Sequence, residues 1–122
     1  MARVLAKRFG CPTEFTLQLL GGKWKTIILC YLKEGALRYG ELRALMPKLS
    51  DKVLTERLKE LEDSGLIART AARRSPRATY RLAARGEELR SVLTVIYQWG
   101  YRNAEAYGVV CDDPLRNRRL GP

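Results

Sequence analysis

The stretch from Ser50 to Ile67 constrains the fold more than any other part of the chain, because it carries a helix pattern with both ends marked. Its apolar residues recur at helical spacing, at Val53, Leu54, Leu58 and Leu61. Ser50 is suited to cap the helix at its amino terminus, and Gly65 can turn the chain out of the helix. We therefore predict a helix over residues 51–64. Its opposite, polar face would carry Lys52, Thr55, Glu56, Lys59 and Asp63.

A polar helix face can simply be solvated, but the neighbouring sequence favours a different interpretation. Immediately upstream, Gly40–Leu45 shows a short helical pattern that Pro47 closes. Two short helices joined by a tight turn form a helix-turn-helix, whose second helix can enter the major groove of DNA. We predict a helix-turn-helix over about residues 40–64.

A basic hairpin follows this pair of helices. Residues 66–70 and 79–82 read as strands, and the segment from Arg69 to Arg81 contains five arginines and no acidic residue. Residues 36–39 could add a third short strand. Two helices followed by a basic hairpin is the order of a winged helix-turn-helix, so we predict a mainly α fold, of α+β type, with its wing over about residues 66–82.

Helical patterns also lie on both sides of this unit. One helix is predicted to begin near Cys11–Pro12 and end at Gly21–Gly22, a second covers residues 23–34, and a long one covers about residues 84–107. The long helix carries more apolar surface than the core of a small domain needs, which favours a homodimer formed by this helix together with the amino-terminal segment. The alternative is that its aromatic residues cover the back of the domain. The candidate interface residues are Phe15, Leu89, Leu93, Ile96 and Trp99.

Charge and length limit the partners of the chain. The 122 residues suit a single domain, with a flexible tail expected over residues 109–122. A formal net charge of +10 indicates a polyanionic partner, although charge alone does not distinguish DNA from RNA or an anionic membrane. The longest apolar run is far shorter than the roughly 20 residues of a membrane span. No secretory signal is evident, so we expect a cytoplasmic protein without membrane partners.

Enzymatic and RNA-binding functions fit the residues poorly. The chain has no histidine, its three cysteines are too dispersed for a zinc site, and no glycine-rich phosphate loop is present. We therefore expect neither catalysis nor a metal or other cofactor. RNA recognition normally uses exposed aromatic residues on a sheet or in loops, whereas the aromatic residues here fall on helices. Double-stranded operator DNA is the expected partner.

A set of short motifs in a fixed order extends from about Cys11 to Gly100. In single-letter code they are CPTE at 11–14, GGKW at 21–24, LRYGELR at 37–43, LTERLKELE at 54–62, GLI at 65–67, Pro76, YRL at 80–82, Gly86 and WG at 99–100. In these motifs the chain resembles the HxlR-type winged helix-turn-helix regulators of bacteria and archaea, which are MarR-like. The resemblance implies a dimeric transcription factor, usually a repressor, that dimerises through its first and last helices. Ala83 departs from the family pattern, which commonly has a capping threonine there.

Three groups of residues are predicted to contact DNA. In the recognition helix they are Ser50, Lys52, Thr55, Glu56 and Lys59, whose donors, acceptors and methyl group suit base edges in the major groove. In the wing they are Arg73, Arg74 and Arg77, which suit phosphates or a narrow minor groove. Candidates for contacts to the DNA backbone are Lys25, Arg38 and Arg43.

Cys11 is a candidate redox sensor. It lies at a predicted helix amino terminus beside Lys7 and Arg8, conditions that lower the pKa of a thiol and favour the reactive thiolate. The resemblance points the same way, since several relatives respond to oxidants or electrophiles through a cysteine at this place. The alternative is a small packed residue with no sensory role. Pairing of Cys11 with Cys30 depends on distances, and the inducer is not indicated by the sequence.

Overall fold

Helices form most of the molecule, and a small sheet joins them. The computed structural model describes residues 7–71, 75 and 77–114. In chain order the elements are α1 (Pro12–Leu20), α2 (Gly22–Lys33), β1 (Leu37–Arg38), α3 (Tyr39–Leu45), α4 (Asp51–Asp63), β2 (Ile67–Arg69), β3 (Thr79–Leu82), α5 (Ala84–Glu88), α6 (Arg90–Asn103) and a short 3₁₀ helix (Glu105–Tyr107). This is a winged helix-turn-helix, and the predicted fold class is confirmed.

The ends of the recognition helix α4 follow from local chemistry. The Ser50 Oγ accepts a hydrogen bond from the backbone N–H of Val53 at 3.2 Å, which satisfies one of the amide groups left open at a helix start. Gly65 has φ 79°, a conformation that side chains other than glycine rarely adopt, and it takes the chain from α4 into β2. The predicted cap is confirmed, and the helix ends one residue earlier than predicted.

The sheet has three antiparallel strands in the order β1-β3-β2. Leu37 of β1 lies opposite Tyr80 of β3, and Ile67 of β2 lies opposite Leu82. The third short strand predicted near residues 36–39 is therefore present. Strand β1 comes directly before α3 and is hydrogen-bonded to β3 of the wing. The sheet therefore connects the base of the wing to the start of the helix-turn-helix.

The core lies where α2 packs against α4, α6 and the sheet. Its members include three residues of α2 and three of α4, with Leu93 of α6 beside them, all of them buried. They are Ile28, Leu29, Leu32, Leu54, Leu58, Leu61 and Leu93. Burial of the leucine stripe of α4 fixes the rotation of that helix, so that its polar side faces away from the core.

The carboxy-terminal segment differs from the prediction of one continuous helix over residues 84–107. It is interrupted at Leu89, whose backbone N–H bonds to the Gly86 carbonyl three residues earlier. The reason is that α5 packs on the sheet while α6 packs on α2. Gly86 lies so close to strand β2 that an added Cβ would fall 2.1 Å from the carbonyl oxygen of Leu66. As expected at Ala83, no side chain caps the helix start.

Residues 109–114 continue past the 3₁₀ helix, and the rest of the predicted flexible tail lies outside the described residues. Asp113 accepts a hydrogen bond from the phenol of Tyr97 in α6. In the described part of the chain, no helix has the length and apolar character needed to cross a membrane.

Candidate nucleic-acid interface

The polar face of α4 lies on the outside of the helix-turn-helix. Lys52, Glu56 and Lys59 are exposed, and Thr55 is half-buried. Lys59 Nζ lies 3.5 Å from a carboxylate oxygen of Asp63, an ion pair exposed enough for a DNA partner to replace it. The structure thus brings these four predicted base-reading residues together on one accessible face. Ser50 is exposed at the start of the same helix, where its hydroxyl serves as the cap.

Two side chains of α3 hold the first residue of α4. The phenol of Tyr39 donates to Asp51 Oδ1 at 2.7 Å, and Nε of Arg43 donates to the same oxygen at 2.8 Å. These contacts lower the pKa of Asp51, the phenol contributing most and Arg43 next. Arg43 also donates to the carbonyl of Met46 at 3.2 Å. The two helices are therefore joined by a polar network at the edge of the surface predicted to meet DNA.

The other predicted contacts to the DNA backbone have different surroundings. Arg38 is exposed just before α3, and its backbone N–H donates to Glu41 Oε1 at 2.9 Å, which caps that helix. Lys25 is half-buried near the start of α2 and donates to the carbonyl of Leu19 at 3.3 Å. Arg38 is thus the more accessible of the two to a phosphate.

The described part of the wing is also basic. Arg77 and Arg81 are exposed. Arg69 instead forms an ion pair with Glu62, in which Nε of Arg69 lies 2.9 Å from Oε1 of Glu62. Thr70 and Thr79 close the base of the wing, the backbone N–H of Thr70 donating to the carbonyl of Thr79 at 3.0 Å. The predicted contacts Arg73 and Arg74 lie outside the described residues.

Cys11 lies at the start of α1 and is exposed. The pKa of its thiol is lowered, first by a hydrogen bond from the Thr13 hydroxyl and then by the backbone N–H groups of Thr13 and Glu14. The side chain of Cys11 is therefore not packed within its own chain, and its sensory role stays a prediction. Cys30, by contrast, is half-buried against the core, and Cys111 is exposed near the end of the described chain.

A stripe of exposed apolar side chains runs along α6, and Phe15 and Leu17 of α1 are exposed as well. Trp99 is 52% exposed, Ile96 50% and Val95 60%, unusually high for large apolar residues. We call the stripe on α6 the apolar face; its members are Val92, Val95, Ile96 and Trp99.

The apolar face corrects the predicted dimer candidates. Leu93 is 0% exposed in the core of its own chain, so the prediction for it is wrong; Leu89 is only half-buried, and its role stays a prediction. Phe15, Ile96 and Trp99 remain predictions, since their side chains are exposed. Val92 and Val95 are exposed on the same side of α6 but were not among the predicted candidates, although the spacing of three or four residues between positions 92, 95, 96 and 99 could have indicated them.

Tyr39 and Asp51 were also missed as participants in the site. They are twelve residues apart and meet only because α3 packs across α4, so no local pattern indicates the pair. In the described part of the chain, no three side chains of His, Cys, Asp or Glu are grouped so as to hold a metal ion.

Comparison with known proteins agrees with this geometry. The family model described as HxlR-like helix-turn-helix matches residues 19–107. The chain is 40% identical over 95 residues to the uncharacterized HTH-type transcriptional regulator YtcD of Bacillus subtilis (strain 168), an alignment that covers 77% of this chain and 75% of the relative.

Solved structures give the same result. The reduced form of the redox regulator HypR is similar with a TM-score of 0.74 and 32% identity, covering 80% of this chain and 98% of that one. Quinone-bound YodB from B. subtilis is similar with a TM-score of 0.63 and 32% identity, covering 75% of this chain and 99% of that one.

Proposed function

The chain belongs to the HxlR-like helix-turn-helix family of transcriptional regulators, and we propose that it is a homodimeric repressor that binds operator DNA. We further propose that electrophiles control this binding by reacting with Cys11. The observation that carries the DNA-binding part is the exposed polar face of α4, held outward by its buried leucines. A helix presented in this way fits the major groove.

The chemistry of α4 suits base edges. Lys52 and Lys59 can donate to guanine O6 and N7, and Glu56 can accept from cytosine N4. Arg77 would contact phosphates beside the groove, together with Arg73 and Arg74. The net charge of +10 supports this arrangement, because each phosphate that is neutralised releases condensed counterions.

The apolar face supports the homodimer. Association would remove Ile96, Trp99 and Phe15 from water, and burial of such side chains contributes about 25 cal/mol per Å². A two-fold dimer would present two copies of α4 to successive major grooves roughly 34 to 36 Å apart, and would therefore read a pseudo-palindrome.

Cys11 supports the response to electrophiles. Its exposed thiol has a lowered pKa, so a larger fraction is thiolate, the form that adds to an electrophilic carbon. Addition of the thiolate to a quinone would form one S–C bond, break one ring C=C π bond and take up one proton, which leaves a hydroquinone thioether. The backbone N–H of Phe15 bonds to the carbonyl of Cys11 at 3.3 Å, so an adduct at Cys11 would lie at the start of α1, one helical turn before the exposed Phe15. HypR is named as a redox regulator, and one structure of YodB is quinone-bound, which favours this assignment.

The test is binding of the reduced protein to the intergenic DNA upstream of its own gene, compared with random DNA of equal length. We expect selective binding that benzoquinone abolishes in the wild type and in the Cys30→Ser/Cys111→Ser variant, but not in Cys11→Ser. Selective binding that is unaffected by benzoquinone would remove the role of Cys11 and leave the regulator. Equal, weak binding to both DNAs would contradict the proposal as a whole.

A further inference from the structure

We infer that the cavity between α2, the turn from α3 to α4 and residues 111–114 is a binding site for a small aromatic zwitterion, a flat molecule that carries both a carboxylate and an ammonium group. The cavity has a volume of about 720 Å³, within the range of roughly 300 to 1,000 Å³ that is usual for small-molecule sites. Neither Cys11 nor the polar face of α4 lines it. The inference therefore concerns a site that the proposed function does not use.

The apolar lining of the cavity includes two aromatic rings. Trp24, Ile27 and Tyr31 of α2 line the cavity, and all three are half-buried. Leu45 and Met46, at the end of α3 and in the turn that follows, line it as well. Because Trp24 and Tyr31 are only half-buried, part of each ring is left for a flat aromatic ligand to stack on.

The charged lining of the cavity carries both signs. Lys23 comes from α2 and Lys48 from the turn, whereas Asp112 and Asp113 come from the segment after the 3₁₀ helix. Nζ of Lys23 lies 4.5 Å from the centre of the Trp24 ring, a contact that holds this cation at the cavity. A ligand with a single charge would be attracted by one pair and repelled by the other, but a zwitterion can be attracted by both.

Three of these four charges are available to a ligand. Lys23, Lys48 and Asp112 are exposed, and none of them forms an ion pair with any described residue. Asp113 instead accepts a hydrogen bond from the phenol of Tyr97, which holds residues 111–114 beside the cavity. The carboxylate of the ligand is therefore assigned to the two lysines and its ammonium group to Asp112.

The experiment is a titration of the isotope-labelled full chain with L-tryptophan, followed through the indole N–H signals in NMR spectra. The chain has two tryptophans, so each can be observed separately. Trp24 lines the cavity, whereas Trp99 lies on the apolar face and does not. We expect the Trp24 signal to shift until it saturates and the Trp99 signal to stay in place as the internal control.

Two analogues of tryptophan each lack one of its charges. Tryptamine lacks the carboxylate, and indolepropionate lacks the ammonium group. We expect each to bind about threefold more weakly than tryptophan, because an exposed ion pair contributes modestly to affinity.

Two variants remove one charge of the cavity at a time. Lys48→Gln should weaken binding of tryptophan and indolepropionate about threefold without weakening tryptamine. Asp112→Asn should weaken tryptophan and tryptamine without weakening indolepropionate. Both side chains are exposed, so neither change should disturb folding. Lys52→Gln is the matched control, since Lys52 is also exposed but does not line the cavity.

The position of Lys48 connects the cavity to DNA binding. Lys48 lies two residues before Ser50, which caps the recognition helix. A ligand carboxylate on Lys48 would neutralise a charge that can otherwise meet a DNA phosphate, so saturating tryptophan should weaken DNA binding about threefold. This effect rests on the proposed function and should be absent in Lys48→Gln; an equal effect in that variant would refute the connection.

The inference would be overturned if the Trp24 signal did not shift, if the Trp99 signal shifted as much, or if all three probes bound equally well. Equal effects of Lys48→Gln and Lys52→Gln on tryptophan binding would refute the assignment of the carboxylate. The titrations contain no DNA, so a chain that bound tryptophan as expected but had no affinity for DNA would support the site and refute the proposed function.

Discussion

Replacing Gly86 with alanine should destabilise the protein, because at this residue α5 lies against the backbone of Leu66, just before strand β2. An ideal Cβ would lie 2.1 Å from the Leu66 carbonyl oxygen and 3.3 Å from Cδ2 of Leu82, whereas ordinary contacts are roughly 3.5 Å, so α5 would have to move by about 1 Å. The same oxygen accepts the backbone N–H of Ala83 at 2.9 Å, and that bond would lengthen.

The expected cost follows from these two effects. Overpacking of this kind costs about 1 to 3 kcal/mol, and a weakened hydrogen bond adds about 1 kcal/mol. Alanine is the better helix former and offsets about 1 kcal/mol. We therefore expect the free energy of unfolding of Gly86→Ala to fall by about 1 to 3 kcal/mol.

The measurement is urea unfolding of wild type and variant at one fixed protein concentration. A fixed concentration keeps any effect of dimerisation on the apparent stability the same for both proteins. Gly40→Ala is the matched control, since Gly40 lies in α3 and an added Cβ meets nothing within 4 Å. The control should be neutral or more stable by up to about 1 kcal/mol. Equal stability of Gly86→Ala and Gly40→Ala would refute the argument from close packing.

Four further predictions concern function. Lys59→Ala should relax preference at one base per half-site in quantitative binding assays; equal losses on operator and random DNA would exclude a base contact. Arg77→Ala should weaken binding to all sequences alike and reduce the salt slope by about one unit, whereas a changed base preference would contradict a phosphate contact. Ile96→Glu should yield monomers in analytical ultracentrifugation, and persistence of a dimer would exclude the apolar face as its interface. Thr13→Ala should shift the alkylation of Cys11 to higher pH, because it removes the hydroxyl whose hydrogen bond does most to lower the pKa of the thiol; an unchanged pH profile would exclude that hydrogen bond as the cause.

The sequence was most informative where one residue acts on its neighbours. Ser50 and Gly65 mark the ends of α4, because a cap and a positive φ depend on local backbone geometry. The polar face of the same helix was predictable from the rotation that its leucines impose. These two inferences place the predicted base-reading residues.

Features that depend on packing between distant segments were harder to predict. Leu93 and Val95 are both apolar and only two positions apart, yet one is buried on α2 and the other is 60% exposed, because the packing of α6 decides which side is covered. The interruption at Leu89 arises from the contact of Gly86 with β2. The Tyr39–Asp51 hydrogen bond likewise requires the angle between α3 and α4.

The pairing of β1 with β3 has a consequence for how the regulator could be switched off. Strand β1 leads directly into α3, and β3 runs from the wing into α5. Because β1 and β3 pair in an antiparallel register, the helix-turn-helix and the wing form one rigid unit. A signal within one subunit would then have little freedom to separate these two DNA contacts. What a signal could change is the distance between the two units of a dimer. A change of a few ångströms there would move the second recognition helix away from the next major groove.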